Sequence, residues 1–191
     1  METNEQTGIV TMSFDEMLQQ VGAENIFKYF PELLSHGQHG VPYSENKFFD
    51  LFVKALSVDS DYEIAQQYSV DNGRFYIDCL LSRERTSTYE DGSKDKNLYC
   101  VMIEYDEKYH RLPSQKEKDE YREKEITKYF QRYAKGKGYD NISLEIVRIN
   151  EGQEHLAFLY LLPFLAGIDT SYCGDKVKEY LDYRTLIFYD L

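Results

Sequence analysis

The apolar positions change period several times between residues 44 and 150. In SENKFFDLFVKAL (44–56), Phe48, Phe49, Phe52 and Leu56 recur at helical spacing, which predicts an amphipathic helix capped by Ser44. YEIAQQYSV (62–70) and RFYIDCLL (74–81) are strand-like runs, and the DNG between them is a hairpin-turn signal. LYCVMIEYD (98–106) reads as a third strand after a charged loop (82–97). The helical period returns in SQKEKDEYREKEITKYFQRYAKGKG, with Ile126, Phe130 and Tyr133 inward and Gly136 or Gly138 as the stop. SLEIVRI (143–149) is a further strand. The order is helix, three strands, helix, strand.

The flanks are less regular. Residues 1–43 read as a loose tail followed by short helices. Ser13 with Glu16 forms a capping box for the first of these, and AENIFKYF runs up to Pro31. His36-x-x-His39 has metal-ligand spacing but no further ligand nearby, so it reads as loop. Within 151–191, HLAFLYLLPFLAG and KVKEYLDY look helical and TLIFYDL suits an edge strand. This segment is expected to pack on the 44–150 core. No internal repeat is visible.

Composition narrows the class. A chain of 191 residues that is 42% hydrophobic suits one domain with a real core. The longest apolar run contains Pro163 and is too short to span a bilayer, which argues against a membrane partner. The opening METNEQTG lacks a secretory signal pattern. Cys79, Cys100 and Cys173 have no CxxC spacing and fit reduced core thiols. A cytoplasmic protein is expected, or a nucleocytoplasmic one in a eukaryotic or viral setting. The net charge of −12 counts against a polyanion binder, but its distribution does not. Residues 108–148 hold 11 Lys or Arg against 7 Asp or Glu.

The chemistry concentrates in CVMIEYDEKYH (100–110). Glu104 and Asp106 project from the strand face that carries Leu98, Cys100 and Met102, while Tyr99, Val101, Ile103 and Tyr105 take the other. Asp78 interrupts a second apolar strand in the same way. If the two strands are neighbours, Asp78 and Glu104 approach within bridging distance of one cation. Hard oxygen ligands with positions left for water suit Mg²⁺ or Mn²⁺.

These residues in this order resemble the PD-(D/E)XK nuclease superfamily, and within it the very-short-patch-repair-like endonucleases. The likeness rests on Ser44-Glu45, Gln66-Gln67, FYIDCLL with Asp78, MIEYDEKYH with Glu104, Asp106 and His110, DEYR with Asp119 and Arg122, and EIVRI with Arg148. Over about residues 44–150 it implies an α/β, restriction-endonuclease-like αβββαβ core with a mixed central sheet flanked by helices, to which the residues themselves add N- and C-terminal helical extensions. It also implies hydrolysis of DNA phosphodiester bonds with Mg²⁺ or Mn²⁺ held by Asp78 and Glu104. Asp106, His110 and Glu45 would complete the catalytic set. The family's usual Lys, two residues after the Glu, is Asp106 here, which leaves His110 to position water or protonate the leaving group. Arg111, Lys116, Lys118, Arg122 and Lys124 are the candidate DNA contacts, Arg122 alternatively pairing with a nearby carboxylate. A homodimer or a protein partner would supply further positive charge. The competing readings are a catalytically inactive module on the same fold that binds protein or nucleic acid, and an acidic DNA mimic.

Overall fold

The structure, a computed structural model, describes residues 45–56, 61–106, 113–167, 171–189 and 191, with the side chains of 113–116 outside that description. Helix α1 (Glu45–Leu56) precedes three strands, β1 (Glu63–Val70), β2 (Phe75–Thr88) and β3 (Lys94–Asp106). Helix α2 (Pro113–Gly136) leads into β4 (Asn141–Asn150). The chain then forms α3 (Glu154–Leu156), a π-helical segment (Ala157–Leu161), α4 (Leu162–Leu165), α5 (Tyr172–Tyr180) and β5 (Asp182–Phe188). The strands form one sheet in the order β1-β2-β3-β4-β5. All neighbours are antiparallel except β3 and β4, which run parallel across the α2 crossover. The architecture is α/β, a five-stranded mixed sheet flanked by helices.

Each face of the sheet buries its own core. On one face Phe48, Phe49, Phe52 and Leu56 of α1 pack with Cys79, Leu81, Val101, Ile103 and Tyr105, joined by Phe158, Leu161 and Leu162 from the C-terminal helices. On the other, Ile126, Phe130 and Ala134 of α2 cover Leu80, Leu98, Cys100, Met102, Leu144 and Ile146. The alternation expected for β3 is observed, with even positions under α2 and odd positions under α1. Fully burying one such Phe or Leu contributes about 1.5–3 kcal/mol, so the two cores clamp the sheet between layers. All three cysteines are buried and free.

Several local expectations need correction. Residues 82–97 are mostly strand, not loop: β2 runs on to Thr88, β3 starts at Lys94, and a tight turn closes them through Tyr89 N–H to Ser93 O at 2.9 Å. Arg83 supports this extension by lying over the Tyr62 ring and bonding Asp61, so these charges are housed on a ribbon. Tyr133 is not inward; it is 36% exposed, and Ala134 takes the core position. KVKEYLDY is split, because Leu181 adopts extended backbone and sends Asp182 and Tyr183 into β5. The DNG turn forms as expected, with Asp71, Asn72 and Gly73 at φ 53°, 57° and 85°. The expected caps at Ser13 and Ser44, the helix at AENIFKYF and the pair His36/His39 lie outside the described residues. No described helix is long and apolar enough to cross a membrane.

Candidate functional site

One polar row crosses the sheet where the strands would otherwise be apolar. The β3–β4 register places Glu104 opposite Arg148, and the β4–β5 register places Arg148 opposite Asp182. Continuing the β2–β3 register one rung beyond its last pair, Cys79–Ile103, sets Asp78 opposite Glu104. Continuing the β1–β2 register through its gap sets Gln67 opposite Asp78. The row therefore reads Gln67, Asp78, Glu104, Arg148, Asp182.

The ladder opens around Asp78. No backbone pair forms between Gln67 and Asp78, and β2 leaves β3 beyond Cys79. The Tyr105 N–H, which a continued ladder would use, donates instead to Asp78 Oδ2 at 2.8 Å. Strands β1 and β2 also change face here. Ile64 packs under α1 but Tyr68 and Val70 under α2; Ile77 packs under α2 but Cys79 under α1. Strict alternation would keep each of these sets on one face. A shift of one residue in a pleated strand moves every later side chain to the opposite side. The backbone records the kink as φ 48° at Gln67, a left-handed value in a non-glycine residue, which costs about 1–3 kcal/mol. The Gln67 side chain meanwhile donates from Nε2 to Glu45 Oε1, in the first turn of α1, at 2.7 Å.

Helix α2 brings the cations. Arg122 donates from Nη1 and Nη2 to the two Glu104 oxygens at 2.9 and 3.0 Å, and its Nη2 also reaches the Tyr76 carbonyl at the opened edge of β2. Glu104 is only 4% exposed. Burial and the nearby Asp78 charge push its carboxyl up to about 8, with Arg122 pulling in the other direction. A second group of ions lies beside it. Arg148 bonds Asp106 at 3.1 Å and Glu123 at 3.5 Å, and Arg184 grips Glu123 with two bonds of 2.8 Å. Burial would lower the Arg148 guanidinium, but Asp106, Glu104 and Glu123 outweigh it and hold the group above its ordinary range. Beneath Asp78, the Tyr105 hydroxyl donates to buried Glu154 at 2.6 Å, tying the strand end to α3.

The sequence-predicted residues are thus distributed as follows. Asp78 and Glu104 come together, Asp106 is two residues further along β3 and bonded to Arg148, and Glu45 reaches the row through Gln67. Arg122 is turned inward onto Glu104, while Lys118 and Lys124 are exposed on α2. His110 and Arg111 lie outside the described residues, as does the side chain of Lys116. Among the described residues no three His, Cys, Asp or Glu side chains form a group able to hold a metal; Asp78 lies near enough for its charge to raise the Glu104 carboxyl. A cleft lined by Ser82, Glu84, Tyr133 and Tyr139 contains none of the candidate residues. Sequence reasoning missed the pairing of Glu123 with Arg184 and the place of Asp182 in the row. Nothing local could have signalled them, because β5 joins the sheet from the far end of the chain. The turn at Gln67 left one sign, an exposed polar pair in the middle of a strand-like run.

No family model, curated protein or solved structure matches the chain.

Proposed function

We propose that this chain is a divalent-metal-dependent endonuclease that hydrolyses DNA phosphodiester bonds on a restriction-endonuclease-like core of the PD-(D/E)XK kind. The observation that carries this reading is the Asp78–Glu104 pair at the fork where β2 leaves β3. Three elements of the fold agree with it: the αβββαβ order, the antiparallel β1–β2–β3 meander, and the parallel β4 reached through α2.

The residues fit a divalent cation. Two hard carboxylate donors converge, and their mutual repulsion, with burial, leaves Glu104 disfavoured as an anion despite Arg122. A bound Mg²⁺ or Mn²⁺ would be held by Asp78 and Glu104 and would supply a water of lowered pKa and charge neutralisation at the phosphate. The chain's own groups do the rest. The Tyr105 N–H fixes the Asp78 carboxylate, Arg122 fixes Glu104, and Arg148 holds Asp106 beside them. Lys118 and Lys124, each exposed on α2, are the candidate contacts for backbone phosphates. That helix mixes signs, so DNA affinity falls steeply with salt unless a second copy or a protein partner adds positive charge.

One observation favours a second reading. Arg122 already occupies both oxygens of Glu104, which is how a retired site on the same fold would satisfy a buried carboxylate. Such a module would bind protein or nucleic acid without cutting. Incubating the full chain with plasmid and linear DNA in Mg²⁺, Mn²⁺ or EDTA separates the two. Metal-dependent cutting that disappears in Asp78→Asn and Glu104→Gln supports the nuclease; intact DNA under every condition supports the module.

A further inference from the structure

A cleft of about 680 Å³ opens between the C-terminal half of α2 and strands β1, β2 and β3, and none of its residues belongs to the fork. Its size is that of a small-ligand site. Its walls are aromatic. Tyr68 stacks on Phe130 with ring centroids 6.4 Å apart, Tyr139 is buried, and Tyr133 lines the cleft while remaining 36% exposed. Leu80 and Cys100, both buried in the sheet, give it an apolar floor. Two exposed acids, Glu63 of β1 and Glu84 of β2, complete the lining. Glu63 pairs with Ser82, so Glu84 is its diagonal neighbour across the two strands, about 7–8 Å away.

The charges around the cleft select its ligand. Arg83 also lines it, but its guanidinium is committed to Asp61 at 3.0 Å and lies over the Tyr62 ring. Glu84 accepts a hydrogen bond from the Tyr139 hydroxyl and pairs with Lys96 at 3.3 Å; these contacts hold its carboxyl below the ordinary range and keep it charged. The same Lys96 ammonium lies 4.2 Å from the centroid of the Tyr139 ring. The chain's own lysine thus displays the pairing that this lining favours, an ammonium against a tyrosine face and a carboxylate. Lys96 comes from β3, whereas Glu63 lies on β1 across β2 and has no ion pair among the described residues. We propose that the cleft binds an organic ammonium ion, its charged head at Glu63 and Glu84 against the tyrosine faces and its carbon chain on Leu80 and Cys100. An anion would meet two carboxylates there, and a neutral ligand would leave both without a counter-charge. The ion is either a free small cation or the ammonium of a partner's side chain, which the same chemistry recognises. This site is independent of the nuclease reading.

The test is an NMR titration of the full chain with choline, with the neutral isostere in which carbon replaces its nitrogen, and with a short peptide carrying one trimethyl-lysine. At least one of the two ammonium probes should bind, and choline should bind more tightly than its isostere. Glu84→Gln and Tyr133→Leu change exposed side chains, so the fold survives them, and each should weaken ammonium binding about fivefold. Glu179→Gln, an equal change of charge on α5, should leave it unchanged. Tighter binding of the peptide supports the site and assigns it to a partner's side chain; tighter binding of choline supports it and assigns it to a free cation. Absence of binding by both ammonium probes at millimolar concentration overturns the inference. Equal binding of choline and its isostere, or wild-type affinity in Glu84→Gln and Tyr133→Leu, overturns it too. None of these outcomes bears on the Asp78–Glu104 fork, which shares no residue with the cleft.

Discussion

Arg122 holds both carboxylate oxygens of Glu104 through its two terminal nitrogens, at 2.9 and 3.0 Å, and so pins α2 to the end of β3. A fork-to-fork pair of this kind is directional as well as charged, and a lysine could not reproduce it. Beside the pair stands Asp78, whose charge opposes that of Glu104. Arg122 is therefore the internal cation of a site that otherwise repels itself.

Removing that cation should be costly. Above about pH 8, where Glu104 is ionised in the fold, Arg122→Met leaves that buried carboxylate without its partner and predicts a loss of roughly 3–5 kcal/mol in urea unfolding. Adding Glu104→Leu to the same chain should recover most of the loss, since a buried pair is often replaceable by apolar residues while half a pair is not. Failure of the second change to rescue would place the role of Arg122 elsewhere, at its contact with the Tyr76 carbonyl.

The same pair sets a pH dependence in EDTA. Glu104 titrates at about 8 in the fold and near its ordinary value of 4.5 when unfolded. Between those values the folded chain binds the extra proton, so stability falls as pH rises. The contribution is fully present below about 4.5 and lost by about 8. Glu104→Gln, which cannot titrate, should flatten this slope, and the gap between variant and wild type should move in the variant's favour from pH 5 to 8 by chemical denaturation. Parallel pH profiles for the two chains would contradict the assignment.

Much of this site was legible in the chain because it is carried by local pattern. Asp78 and Glu104 each break an apolar strand, and period-2 alternation alone assigns Glu104 and Asp106 to the α2 face. The Phe stripe of α1 and the Ile126/Phe130 stripe of α2 follow from helical spacing in the same way. Other features depend on long-range pairing. The strand character of Arg83 and Arg85 comes from pairing with β3, with Asp61 holding their charges, and that of Asp182 from β4. The change of face at Gln67 and Asp78 was hidden because Ile77, Cys79, Leu80 and Leu81 are apolar on both sides of the break. A fully apolar strand gives no phase to read.

The C-terminal helices contribute to the site from below. The Tyr105 hydroxyl meets Glu154, which is 3% exposed, while the Tyr105 backbone holds Asp78. Tyr105→Phe removes the hydroxyl donor to a buried carboxyl and should cost about 1–3 kcal/mol in urea unfolding. The backbone bond to Asp78 survives the change, so Mn²⁺ affinity should stay near wild type. A large loss of affinity would mean that α3 governs the geometry of the fork and not only its stability.

A cation held by Glu104 at the polar end of β3 together with Asp78 is what the proposed nuclease activity requires. Anomalous scattering from a crystal soaked in Mn²⁺ tests it most directly. The expected peak lies about 2.0–2.2 Å from carboxylate oxygens of both Asp78 and Glu104, with Arg122 withdrawn from at least one Glu104 oxygen. No peak at that pair, with Arg122 still holding both oxygens, would contradict it and mark the chain as a binding module.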